Sequence, residues 1–446
     1  MSEMSLDLFW KTLIEPAPRR GAGPLEALRE PDPDLGRVGL LSNQTSFHLE
    51  RGEYLFQALA RVGRLHRAFL PEHGLFAELQ DQVALDSGAI YERLAPGVDF
   101  VSLYGSREES LFVPPELIAD LDTLIVDLQD VGSRYYTFAT TVSYIFDVLK
   151  QNDAALRVLV VERANPAGRF IEGTILSPEY QSFVGRPGLP HRHGLSLGEL
   201  CRFYLEETGA RVELEIITDM NAAAHASEGA RASVLKADAG AFSKVLSDLS
   251  QWTIPPSPNM PGPLTPLVYS GQCLLEGTNL NEGRGTTRPF EIFGAPYMRW
   301  IWDAAAVRDR PEESGCVLRP LQYIPTFHKF GGETCHGFQL HVRPDEAYHS
   351  LAHTLKLLRW IQEYSGTDFA WRDDTYEFRS DRPAIEILAG DPLLLDYLRG
   401  ANGARFAGLR DRFADQEEAW LKRAASVLSP GVKLRRTELQ ASRDYL

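Results

Sequence analysis

The chain has 446 residues, 44% of them hydrophobic, which is enough to bury a substantial core and points to two or three domains. Its 61 acidic against 46 basic residues give a formal net charge of −15, which argues against nucleic acid or an anionic membrane as partner, since both select for clustered Lys and Arg. Met1 to Lys11 carries no apolar run of signal-peptide length and no later stretch approaches a membrane span, so the cytoplasm is the default location.

In chain order, five short and nearly continuous apolar runs read as buried strands: Arg37 to Leu41, His66 to Leu70, Asp99 to Leu103, Thr123 to Leu128 and Arg157 to Val161. Helical patterns lie between most of them, the clearest over Tyr136 to Lys150. This alternation is the signature of an α/β domain with a mainly parallel sheet. The strand exits of such a sheet share one edge, where open α/β folds place their ligands. Here the exits read Ser42-Asn43-Gln44-Thr45, Pro71-Glu72-His73-Gly74, Tyr104-Gly105-Ser106, Gln129 to Arg134 and Glu162-Arg163-Ala164-Asn165-Pro166.

Further on come Phe183-Val184-Gly185 and His191-Arg192-His193-Gly194, then a helix start in which Ser196 and Glu199 form a capping-box pattern ahead of the apolar stripe Leu197, Leu200, Cys201 and Tyr204. The proline-rich run Ile254 to Pro263 cannot continue a helix and reads as a linker, so the domain boundary is placed just before it, giving domains 1–250 and 251–446. In the second domain, Phe338, Leu340 and Val342 alternate with Gln339, His341 and Arg343 as in a half-buried antiparallel strand. Leu351, Leu355, Leu358 and Ile361 mark an amphipathic helix, which makes this domain α+β. Asp391-Pro392 reads as an N-cap followed by proline at the first helical position, and Ala419 to Leu428 as charged helical sequence. Cys201, Cys273, Cys316 and Cys335 lie far apart, with no zinc-knuckle spacing, and read as buried or idle thiols.

Three clusters could carry chemistry. Glu72 and His73 sit at a strand exit, and glycosidic cleavage needs a carboxylic acid there to protonate the leaving oxygen; a helix cap or an Arg partner would be the structural alternative for Glu72. In Asp127 to Thr137, Arg134 could grip a substrate carboxylate through its guanidinium fork, or hold the loop through an internal Asp pair. Asp127, Asp130 and Glu162 could instead form a magnesium site. His191 and His193 are spaced for a metal, or for a hydrogen-bonding pair. Neither HExxH nor a glycine-rich phosphate loop is present, and no cofactor or metal is expected. The third cluster, Glu276 to Glu291, interleaves glycines with acids, amides and arginines as a binding edge would.

These segments together resemble the NamZ-type exo-β-N-acetylmuramidases, a family first known as a domain of unknown function. The match runs from about Gly36 to Val342 through Gly39 to Thr45, Pro71-Glu72-His73-Gly74, Ser102 to Gly105, Asp127 to Thr137, Asn165-Pro166, Ser182 to Gly185, His193-Gly194, Pro256 to Asn259 and Glu276 to Glu291. The resemblance implies a Rossmann-like N-terminal domain, a smaller C-terminal domain, and a cleft between them for the terminal N-acetylmuramic acid of a peptidoglycan fragment. It also implies that Glu72 is the leading catalytic group, with Asp130, Glu162, Tyr136 and Glu282 open for the second role. Asn43, His73, Arg134, Tyr136, Asn165, His193, Asn259, Glu282 and Arg284 are the expected sugar-binding residues. Three places depart from the family pattern: Glu162-Arg163-Ala164-Asn165-Pro166 stands for Asp-Arg-Pro-Asn-Pro, Gly194-Leu195-Ser196 for Gly-Met-Thr, and Asn281 for serine. A metal-dependent hydrolase or phosphotransferase and a non-catalytic glycan-binding module are the competing functional classes.

Overall fold

The computed structural model describes residues 9–10, 13–14, 35–49, 51–79, 88–217, 254–343, 348–437 and 439. The chain divides into two compact units: the first comprises residues 1–130, 141–164 and 196–231, the second residues 131–140, 165–195 and 232–446. The sequence boundary at 250/251 falls outside the described residues.

The first unit is built on six strands: β1 (Val38–Ser42), β2 (Leu65–Leu70), β3 (Asp99–Ser102), β4 (Thr123–Asp127), β5 (Ala155–Val161) and β6 (Arg211–Ile217). They lie in the order β3-β2-β1-β4-β5-β6 with every neighbouring pair parallel. The five expected strands are all present. The central pair, β1 and β4, is buried along its whole length, as a parallel sheet covered on both faces requires. Val38, Leu40, Leu70, Ile125, Leu159 and Val161 join Leu55, Phe56 and Leu59 of α1 (Leu55–Arg61) in one core, each burial contributing roughly 1.5–3 kcal/mol. α2 (Thr137–Gln151) lies between β4 and β5 in sequence, and α3 (Leu197–Thr208) between β5 and β6. The Ser196–Glu199 capping box is formed, with Ser196 accepting from Glu199 N and Glu199 from Ser196 N, and the stripe of Leu197, Leu200, Cys201 and Tyr204 is buried. Strand order reverses between β1 and β4, and it is beyond the carboxyl ends of the strands at such a switch point that open α/β folds hold their ligands.

The second unit contains a three-stranded antiparallel sheet in which β9 (Cys335–Val342) lies between β7 (Ile292–Ala295) and β8 (Cys316–Tyr323). Phe338 and Leu340 of β9 are buried and His341 is exposed. α4 (Thr265–Gln272) packs on α5 (Ser350–Ser365), whose Leu351, Leu355, Leu358 and Ile361 are all buried. α6 (Ala384–Ala389) and α7 (Pro392–Arg399) follow, the latter capped by Asp391 accepting from Leu393 N at 2.9 Å, and α8 (Phe406–Ala424) is the last long helix. Among the described residues no helix is long and apolar enough to cross a membrane, and none of the four cysteines is in a disulfide.

Candidate active site

The register of the parallel sheet brings the exits of the first unit to one edge. Ser42 pairs with Asp127 and Leu70 with Ser102, so Asn43, Glu72 and Asp130 follow strands that end at neighbouring levels. Glu72 is buried, at 5% exposure, two residues past the end of β2. His73 beside it has φ +72° and donates from Nδ1 to Leu79 O at 3.0 Å. Such a turn fixes the backbone directly after the carboxylate. Asn43 is a buried cap, its Oδ1 accepting from Thr45 N and Thr45 Oγ1. Arg163 ties three exits together: it donates to Asp127 Oδ1 at 2.6 Å and to Thr45 O at 2.8 Å. Glu162 accepts from Gly198 N at 2.8 Å, placing its charge at the N-terminus of α3 where the peptide dipoles favour an anion.

In the second unit, residues 131–140 and 165–195 interlock. Gly132 has φ +84°, and a Cβ there would land on the Asn165 amide, so glycine is required by both backbone and space. Asn165 accepts from Ala167 N and donates to Leu195 O, each at 2.9 Å. Arg134 is buried; its Nη1 donates to Thr174 O, and its Nη2 to Leu388 O and Ala389 O, with His191 Nε2 at 3.0 Å. Burial, reinforced by Arg134, pulls the His191 imidazole well below its ordinary range and keeps it neutral. His193 Nδ1 accepts from Leu195 N while its carbonyl accepts from Trp420 Nε1. Tyr136 packs edge-on against Phe138 and Tyr269.

The glycine-rich segment closes around a buried charge cluster. Glu282, fully buried, accepts from Arg284 Nη1 at 3.1 Å and Lys329 Nζ at 3.0 Å, with His328 Nδ1 at 3.2 Å. Arg284 Nη2 donates to Glu276, whose other oxygen accepts from Tyr376 Oη at 2.5 Å. Burial alone would raise the Glu282 carboxyl, but Lys329, His328 and Arg284 outweigh it and hold it well below the usual carboxylate range.

The N-terminal profile of the exo-β-N-acetylmuramidase NamZ matches residues 38–263, and its C-terminal profile matches residues 267–429. The chain belongs to the NamZ family. It is 33% identical over 310 residues to the peptidoglycan β-N-acetylmuramidase NamZ of Bacillus subtilis, covering 69% of this chain and 68% of the relative. Two crystal structures of DUF1343 family proteins from Bacteroides fragilis share the fold. One has TM-score 0.68 at 22% identity, covering 88% of this chain and 93% of its own; the other has TM-score 0.59 at 23% identity, covering 90% and 94%.

Within this NamZ fold the expected site residues fall into two sets. Asn43, Glu72, His73, Asp130 and Glu162 stand at strand exits of the first unit; Arg134, Tyr136, Asn165, His193, Asn259, Glu282 and Arg284 belong to the second. The geometry corrects the reading of Arg134 as a grip on a substrate carboxylate, because its terminal nitrogens are engaged by buried carbonyls and the residue is closed to solvent. Asp127, Asp130 and Glu162 do not assemble as a magnesium site: Asp127 is paired with Arg163, Glu162 holds a helix end, and among the described residues no group of three or more His, Cys, Asp or Glu is arranged for a metal. The sequence reading passed over Arg163 and His328. The first lay in a motif read for its acid; the second is a lone histidine outside any motif.

Proposed function

We propose that the protein is an exo-β-N-acetylmuramidase that hydrolyses the glycosidic bond of a terminal N-acetylmuramic acid at the non-reducing end of peptidoglycan fragments. The observation that carries this reading is Glu72, a carboxyl group withdrawn from solvent at the switch edge of the sheet in a chain of the NamZ family. Glu72 serves as general acid, delivering a proton to the glycosidic oxygen as the bond breaks and leaving the oxocarbenium-like sugar to be captured by water or a carboxylate. Asp130, buried three residues past the end of β4 on the same edge as Glu72, is assigned as the second carboxylate. His73, Tyr136 and Asn259 are retained as sugar-contacting residues, whereas Asn43, Asn165 and His193 are assigned to shaping the loops they brace. The test is release of 4-nitrophenol from the β-N-acetylmuramide and from the β-N-acetylglucosaminide, each with and without chelator. Turnover of the muramide alone, unchanged by chelator, is the expected result. Chelator-sensitive turnover, or equal turnover of both, would overturn the reading.

A further inference from the structure

We propose that Arg163 is the specificity-determining residue of the site, its guanidinium receiving the lactyl carboxylate that separates N-acetylmuramic acid from N-acetylglucosamine; the proposal rests on the muramidase reading above. Arg163 lies two residues past the end of β5 and reaches back across the end of β4. Its Nη2 donates to Thr45 O at 2.8 Å and to Asp127 Oδ1 at 2.6 Å. Thr45 follows β1 and Asp127 ends β4, so the guanidinium is pinned across the two strands between which the order reverses, the place where a doubly wound sheet receives its ligand. The exit of β2, which carries Glu72, is the next one along, about 5 Å across the sheet. All of these groups belong to the first unit.

The pairing leaves Arg163 with donors to spare. Nε and Nη2 both address Asp127 Oδ1, while Asp127 Oδ2 and Arg163 Nη1 have no hydrogen-bond partner among the described residues. A guanidinium and a carboxylate that serve only each other close two parallel bonds; this pair is anchored at one oxygen, with Nη1 on the far side of the planar fork. The Arg163 side chain is 24% exposed, whereas Asp127 behind it is closed to solvent. One guanidinium can serve two carboxylates at once, as Arg284 does for Glu282 and Glu276. Arg163 takes one carboxylate from the chain and offers Nη1 to a second. Among the described exit residues 43–49, 71–79, 128–130 and 162–164 it is the one lysine or arginine, set among Glu72, Asp130 and Glu162. An acidic sugar at this edge therefore has a single cation of these exits to pair with. In N-acetylmuramic acid the lactyl ether stands on C3, across C2 from the scissile anomeric carbon, which suits a cation one strand removed from the proton donor.

The test changes the protein and the ligand together. Binding of N-acetylmuramic acid and of its lactyl methyl ester is measured by calorimetry on the full chain, as wild type, as Arg163→Gln, and as Arg163→Gln combined with Asp127→Asn. The double variant leaves no buried carboxylate bare, and so serves where the single one fails to fold. Wild type is expected to hold the acid about tenfold or more tighter than the ester, and the folded variants to hold the two within about threefold of each other. Wild type that binds acid and ester alike, or neither, overturns the proposal. So does a folded variant that keeps the wild-type ratio, even with both ligands weakened, since that is the pattern of a brace between loops. Muramide turnover by the wild type is followed alongside: its absence sinks the muramidase reading, whereas the ratio of acid to ester decides the role of Arg163.

Discussion

Glu72 and Glu282 are both buried glutamates, and the proposed mechanism gives them opposite work. Glu282 is encircled by cations and stays charged, which suits an anchor and not a proton donor. Replacing it with Gln leaves Arg284 and Lys329 around an uncharged amide, and this is expected to cost about 3 kcal/mol in chemical denaturation at neutral pH. Its carboxyl titrates below the ordinary value of 4.5 in the folded chain, so its stabilisation is present above that value and lost as pH falls through the depressed one. The gap between wild type and Glu282→Gln should therefore narrow below about pH 4.5; a gap that widens on acidification would contradict the charged assignment. Arg134→Met separates two roles in the same way. As an internal clamp on buried carbonyls, its loss should lower stability by about 3 kcal/mol, whereas a substrate grip would leave stability untouched and raise KM.

At the scale of elements, the site is assembled from what ends a strand and what starts a helix. Glu162 is a carboxylate at a strand exit, as Glu72 is, but it accepts from Gly198 N at the first turn of α3. A glutamine can accept the same bond, so Glu162→Gln should keep near wild-type kcat and lose less than about 1 kcal/mol; a drop of 100-fold would restore Glu162 to the chemistry. Elements with a single strong period were legible in the sequence: the five apolar strands, the capping box at Ser196, the Asp391-Pro392 start and the stripe of α5. β6 was not, because Glu213 and Glu215 interrupt its apolar run and it lies at the sheet edge, where partial exposure tolerates them. β8 was hidden by Pro320, which an edge strand accommodates and a central strand does not. Arg134 misled for a different reason. Its motif showed a cation in a loop, and only the folded chain shows that Leu388 O and Ala389 O, more than 250 residues away, are its acceptors.

For the whole molecule, the parallel order with its reversal between β1 and β4 explains why polar residues from five separate loops lie along one edge. That convergence was readable in advance, since strand exits follow from strand positions. The division of the chain into spatial units was less so: residues 131–140 and 165–195 leave the sheet in sequence and cluster with the second unit, a long-range pairing that no local pattern announces. The most direct test of the central claim is the rate of N-acetylmuramic acid release from a muramyl-terminated peptidoglycan fragment by wild type and Glu72→Gln, with melting midpoints measured alongside. A general acid that supplies the leaving-group proton requires kcat to fall by about 100-fold or more with the midpoint within a few degrees of wild type. Turnover within a few-fold of wild type in a folded Glu72→Gln protein would contradict it and move the acid to another carboxyl on the same edge.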